Sequence, residues 1–139
     1  MSQNTKYTNI RFLIVDHSAM MRRMIRHSLK EAGYVLTEES DTCLGAMQKL
    51  QLKNHDFVIV ELNFPNMDGL SLLKTIRADA QLSNMPVLII SSYSRKADVL
   101  AAAQAGANDY VLKPFSINVL TTKIIRILDK INYSANAQA

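Results

Sequence analysis

Four short apolar runs, each closed by a polar residue, set the tightest limit on what this chain can fold into. They are Ile10 to Val15 (with Arg11 inside), Phe57 to Val60, Val87 to Ile90 and Tyr110 to Leu112. Each is too short for a helix and holds β-branched or aromatic residues, so each predicts a strand. They do not alternate apolar with polar. Strands that are apolar on both sides belong in a parallel sheet covered on both faces. A fifth segment, Val35 to Glu39, mixes the two kinds of residue and suits a sheet edge.

Helical spacing fills the gaps between the runs. Met21, Ile25, Leu29 and Ala32 share one face, and Gly33 ends that helix. Leu44, Met47 and Leu50 follow Asp41 or Thr42 as N-cap. Leu70, Leu73 and Ile76 follow Asp68-Gly69. Val99, Leu100 and Ala103 mark a fourth helix, stopped by Gly106. Leu120, Ile124, Ile127, Leu128 and Ile131 form the longest stripe, capped by Ser116. These Met and Leu stripes are core positions. Strand and helix alternate five times, which defines an α/β domain with right-handed crossovers.

A chain of 139 residues, 48% hydrophobic and 20% charged, buries one core without disulfides or metal staples. The expected domain runs from residue 9 to 131, with 1–8 and 132–139 as flexible termini. The lone Cys43 cannot form an internal disulfide, which points to a reducing compartment. No apolar run reaches the length of a membrane span, and Met1 to Asn9 lacks the apolar segment of a secretion signal. A cytoplasmic monomer with no membrane insertion is therefore expected. The net charge of +4 is mild, and without a clustered basic stripe it does not predict nucleic-acid binding. The densest cationic group, Arg22, Arg23, Arg26 and Lys30, reads as a solvated helix face. His27 and His55 read as surface residues.

Ligands of open α/β sheets bind beyond the carboxyl ends of the strands. Asp16 and His17 follow the first run, Glu61 the run at Phe57, Ser91 and Ser92 the run at Val87, and Lys113-Pro114 the last. Loops are polar in any protein. Here four strand ends deliver carboxylates, an imidazole, hydroxyls and an ammonium to one edge, which describes a site.

These residues carry a resemblance. Phe12-Leu13-Ile14-Val15-Asp16, then Asn63-Phe64-Pro65-Asn66-Met67-Asp68-Gly69-Leu70, then Ala101-Ala102-Ala103-Gln104-Ala105-Gly106-Ala107, then Lys113-Pro114-Phe115 make the chain similar to response-regulator receiver domains of the stand-alone CheY-like kind. The resemblance covers about residues 9 to 131. It implies a flavodoxin-like, doubly wound sheet of five parallel strands in order 2-1-3-4-5 with five helices. It also implies two-component or phosphorelay signalling, in chemotaxis or motility. In that family an aspartate at the third strand's end takes a phosphoryl group from a phosphohistidine or small acyl phosphate. Two acids at the first strand's end help it hold Mg²⁺, which neutralises the developing charge. A hydroxyl and a lysine hold the new phosphoryl group, and movement of the hydroxyl resets a tyrosine. By position, Asp16 is the first acid, Ser91 the hydroxyl, Lys113 the lysine and Tyr110 the switch aromatic.

Two positions depart from the pattern. The phosphoacceptor position holds Glu61, and the second position of the acidic pair holds His17. Glutamate moves the carboxylate out by roughly 1.5 Å, one C–C bond, and a misplacement of about 1 Å can cost on the order of 10²-fold in rate. His17 replaces a hard oxygen ligand, so Mg²⁺ at Asp16, His17 and Glu61 is expected to be weak or absent, and no cofactor is required. Zn or Mn at the same three residues is a further alternative. Glu61 either imitates phospho-aspartate beside Ser91 and Lys113 or forms an ion pair with Lys113 that holds an inactive shape. An outward Tyr110 would fit the inactive shape.

Lys96, Val99, Tyr110, Leu112, Phe115, Lys123 and Arg126 form the expected partner face, with apolar anchors and a basic rim suited to an acidic helical peptide. The expected partner is a protein: a flagellar switch, a histidine kinase or another signalling protein. Tyr93 follows the switch hydroxyl region and is expected to crowd the loop above the site, with no assigned role. The leading reading is a protein-binding regulator with conventional aspartyl phosphorylation lost or altered. The alternatives are an active phospho-receiver that tolerates Glu61, and an unrelated enzyme on the same fold. The enzyme reading lacks a phosphate-binding glycine loop and any Ser/His/Asp or Cys/His arrangement.

Overall fold

The computed structural model describes residues 7–62, 69–92 and 95–138, with side chains described through residue 132. Strands and helices alternate without exception: β1 Phe12–Val15, α1 Ala19–Glu31, β2 Thr37–Ser40, α2 Cys43–Leu50, β3 Phe57–Glu61, α3 Gly69–Ala78, β4 Val87–Ser91, α4 Lys96–Gln104, β5 Asp109–Leu112 and α5 Ile117–Gln138. All neighbouring strands are parallel, and their order is β2-β1-β3-β4-β5. The flavodoxin-like, doubly wound sheet with five helices expected from the sequence is the observed fold.

The two-residue period of a strand divides the core into two layers. Leu13, Val15, Val58, Val60, Val87 and Ile89 face α2, α3 and α4, where Ala46, Leu50, Leu72, Leu73, Ile76 and Ala102 meet them. Phe12, Ile14, Phe57, Ile59, Leu88 and Ile90 face α1 and α5, against Ile25, Leu29, Leu120, Ile124, Ile127 and Leu128. That is why β1, and β3 and β4 up to their last residues Glu61 and Ser91, are apolar at successive positions instead of alternating. Phe12 sits between Tyr34 and Phe57, with ring centroids 5.3 and 5.1 Å apart.

Local chemistry sets the helix ends. Ser18 caps α1 by accepting from Met21 N at 3.2 Å, and Thr42 caps α2 by accepting from Gly45 N at 2.9 Å. Ser116 caps α5, its Oγ accepting from Val119 N at 3.1 Å. Gly33 and Gly106 follow α1 and α4 at φ +97° and +103°, a region where a Cβ is costly.

Several expectations are corrected. β2 begins at Thr37, leaving Val35 exposed before it. In α4, Leu100 and Ala103 face solvent, and the buried residue is Ala102. An alanine-rich helix has almost no apolar asymmetry, so its sequence does not choose a face. α5 continues to Gln138, past the stripe's end at Ile131, which is itself exposed. Tyr7, placed in the polar N-terminal stretch, packs against the α1–α5 layer and donates its hydroxyl to Asp129. His55 is buried and paired with Glu38 Oε1 at 2.6 Å, whereas His27 is exposed as expected. Arg22 is not a solvated cation. It donates to Glu39 Oε1 at 3.0 Å and to the Asp16 carbonyl at 2.7 Å.

Candidate functional site

Parallel register brings the polar strand ends together. Val15 lies beside Val60, Glu61 beside Ile90, and Ser91 beside Leu112. The residues at or just past these ends, Asp16, Glu61, Ser91 and Lys113, therefore line one edge. Hydrogen bonds continue the ladder into the loops: Asp16 N donates to Ser40 O at 3.2 Å, and Lys113 N to Ser91 O at 2.8 Å. Gly69 closes the far side of β3. Its N donates to Leu62 O at 2.7 Å, and a Cβ there would lie 2.1 Å from the Glu61 carbonyl oxygen. Only glycine lets α3 start this close to the strand that carries Glu61.

Lys113 organises the charges. Its ammonium donates to Asp16 Oδ2 at 3.1 Å and to Glu61 Oε1. The side chains of Asp16 and Glu61 are only 1% and 5% exposed. Burying two carboxylates together is costly unless a cation and hydrogen bonds answer them. Lys113 supplies the cation, and Asp16 Oδ1 also accepts from Ser18 N at 2.9 Å. A cis peptide bond joins Lys113 to Pro114.

Tyr110 and Ser91 form the second half of the site. Ser91 is fully buried, and it shares a side-chain hydrogen bond with Tyr110, which is half-buried. Burial pushes the Tyr110 phenol above its ordinary value. The Ser91 hydrogen bond pulls the other way, and the carboxylates of Asp98 and Glu61 add to the rise. Tyr110 thus turns inward, toward the carboxylate edge.

His17 stands apart. Its Nδ1 lies 3.8 Å from Asp16 Oδ1, and its side chain is half exposed. Among the described residues no group of three His, Cys, Asp or Glu side chains is placed to hold a metal. The residues fit Mg²⁺ poorly: an ammonium engages both carboxylates, and the third position offers nitrogen where Mg²⁺ takes oxygen.

On the expected partner face, Lys96, Leu112 and Arg126 are exposed, and Val99, Tyr110 and Phe115 are half-buried. Tyr110 packs against the α2–α4 layer and Phe115 against the α1–α5 layer, so the face wraps around the β5 edge. Lys123 is not a free rim cation. It donates to Asp109 Oδ1 at 3.0 Å and to the Tyr110 carbonyl at 2.8 Å. Asn63 to Asp68 and Tyr93 lie outside the described residues.

Two supports escaped sequence reading. Ser18 had a local signal, as the capping residue before the first helical stripe. Arg22, which holds the Asp16 carbonyl, had none.

The open doubly wound sheet, with an acid–lysine–hydroxyl cluster at its carboxyl edge, defines a flavodoxin-like α/β domain with its site at the strand ends. Residues 12–125 match the family model for the response regulator receiver domain. The chain is 39% identical to chemotaxis protein CheY-3 of Vibrio cholerae, covering 88% of this chain and 95% of that protein. It is also 39% identical to chemotaxis protein CheY of Pseudomonas aeruginosa, covering 88% and 99%. Its structure resembles that of CheY4 of Vibrio cholerae with a TM-score of 0.79 at 28% identity, covering 85% of this chain and 98% of that one. The chain belongs to the response regulator receiver family, and its receiver is CheY-like. That family regulates signalling. Among the described residues no helix is long and apolar enough to cross a membrane.

Proposed function

We propose that this CheY-like receiver serves chemotaxis or motility signalling through protein–protein contact, with conventional aspartyl phosphorylation lost or altered. The observation that carries the reading is the Lys113 ammonium held between Glu61 and Asp16. A phosphoacceptor needs a carboxylate oxygen free to attack in line. The Glu61 carboxylate is a methylene too long and is engaged by the lysine that would otherwise hold the phosphoryl group. The poor fit to Mg²⁺ removes the charge neutralisation that the reaction relies on.

The inward Tyr110 favours imitation of the phosphorylated state over an inactive lock. Glu61 puts a negative charge beside Lys113, and Tyr110 is hydrogen-bonded to Ser91 within the field of Glu61. The imitation is incomplete, since a carboxylate brings one charge where a phosphoryl group brings roughly −1.5 to −2. The β5 edge would then bind its protein partner, a flagellar switch, a histidine kinase or another signalling protein, without a phosphorylation event. Exposed Leu112 is the apolar anchor there, and Lys96 and Arg126 supply the positive rim.

The test is an intact mass after incubation with Mg²⁺ and a small acyl phosphate, beside a His17→Asp, Glu61→Asp double variant as positive control. Phosphoryl gain by the control alone is the expected result. Gain by both would make the chain an active phospho-receiver despite Glu61 and overturn the proposal.

A further inference from the structure

A second feature lies at the other pole of the sheet. Between α1 and the start of β2 is a recess of about 480 Å³, within the range of small-molecule sites, about 300–1,000 Å³. Arg23, Arg26, His27 and Lys30 of α1 line one side, and Tyr34 and Thr37 line the other. No acidic residue lines it. Thr37 pairs in register with Phe12, at the opposite end of β1 from Asp16, so the recess is separate from the Lys113 cluster.

The charge in the recess is not balanced by the fold. Glu39 is the nearest answering acid, but it is shared by Arg22 and Arg26, so two guanidiniums face one carboxylate. His27 is matched with Glu31 at 3.5 Å. Arg23 and Lys30 have no ion-pair partner among the described residues. Arg22 and Arg26, and Arg26 and Lys30, are four residues apart, a spacing at which like charges oppose the helix. The first turn of α1 carries no acidic residue. Folding explains Arg22, which fastens the Asp16 carbonyl, and part of Arg26. It leaves Arg23 and Lys30 unexplained.

One wall of the recess is held by packing. Tyr34 is 2% exposed, its ring held edge-on against Phe12. The cations project from successive turns of one helix, so their backbone positions are set before binding. Val35, 62% exposed, adds an apolar lip. Guanidinium, ammonium and hydroxyl groups around a concave space suit phosphate oxygens, which accept several charge-assisted hydrogen bonds at once. The concavity favours a small molecule over a flat protein surface.

We propose that this recess binds a phosphate-bearing small molecule carrying at least two negative charges, held by Arg23, Lys30 and the outward side of Arg26. This site is independent of the chemistry at Glu61.

The test is calorimetric titration of the full chain with sodium tripolyphosphate and with inorganic phosphate, paired with amide NMR. Saturable one-site binding is expected, tighter for tripolyphosphate, with shifts over residues 23–30 and 34–37. A double variant, Arg23→Ala with Lys30→Ala, should bind about tenfold or more weakly, since each lost contact is a charge-assisted one. A control of equal charge loss at exposed positions elsewhere, Lys74→Ala with Arg95→Ala, should bind as the natural protein does. Equal weakening in both variants means diffuse attraction to net charge and overturns the site. So do non-saturable binding and shifts confined to Lys113 and its neighbours. Sedimentation with phosphatidylserine vesicles, without tripolyphosphate binding, assigns the cations to a membrane surface and also overturns it. If the double variant melts lower than the control, the shift map of the natural protein decides alone.

Discussion

Replacing Lys113 by methionine tests the centre of the site most directly. The lysine side chain is 14% exposed, and its two partners are 1% and 5% exposed. Methionine keeps much of the volume and removes the charge, leaving Asp16 and Glu61 as neighbouring buried anions. Losing one partner of a buried ion pair costs about 3–5 kcal/mol, a large fraction of a typical domain stability of about 5–15 kcal/mol. Lys113→Met should therefore lower the unfolding free energy by about 3–5 kcal/mol in urea titrations. A chelator should be present so that no divalent cation replaces the ammonium. Adding Glu61→Gln removes one stranded charge and keeps the side-chain shape. The double variant should recover about 1–3 kcal/mol relative to Lys113→Met, as coupled neighbours do. A loss below about 1 kcal/mol for Lys113→Met, or additive single-variant losses in the double variant, would refute the lysine as the group that holds the two acids.

Gly69→Ala drives a Cβ into the Glu61 carbonyl at 2.1 Å; the backbone must move, and a loss of about 1–3 kcal/mol by urea unfolding is expected. Ser91→Ala removes a hydrogen bond that pulls the Tyr110 phenol down, so the Tyr110 titration, followed by NMR of labelled tyrosine, should move to still higher pH. Burial alone would push the Asp56 carboxyl up, but its hydrogen bonds and ion pair with Arg11 hold it below its ordinary value. Such a group stabilises the fold above its unfolded value, about 3.9, and that contribution fades as pH falls through the lower folded value. The stability advantage over Asp56→Asn should thus be constant from pH 7 to 5 and shrink below about pH 4, measured by urea unfolding at each pH.

The alternation of elements, the apolar character of both sheet faces and the cap at Ser116 were legible in the amino-acid order alone, which also narrowed the α2 cap to Asp41 or Thr42. Each depends on a local period or a side chain bonding within a few residues of itself. The amino-acid order also determined that Asp16, Glu61, Ser91 and Lys113 share an edge, because parallel strands must all end at the same pole. Tertiary structure decided the rest. Lys113 reaches Asp16 across 97 positions, and Arg22 reaches Glu39 across 17. The face of α4 that turns inward was set by the sheet beneath it, since its alanines carry no strong preference. Burial of His55 likewise depended on Glu38 arriving from β2. A side chain's period is written in its neighbours along the chain, whereas its charge partner and its exposure are fixed only when distant segments pack against it.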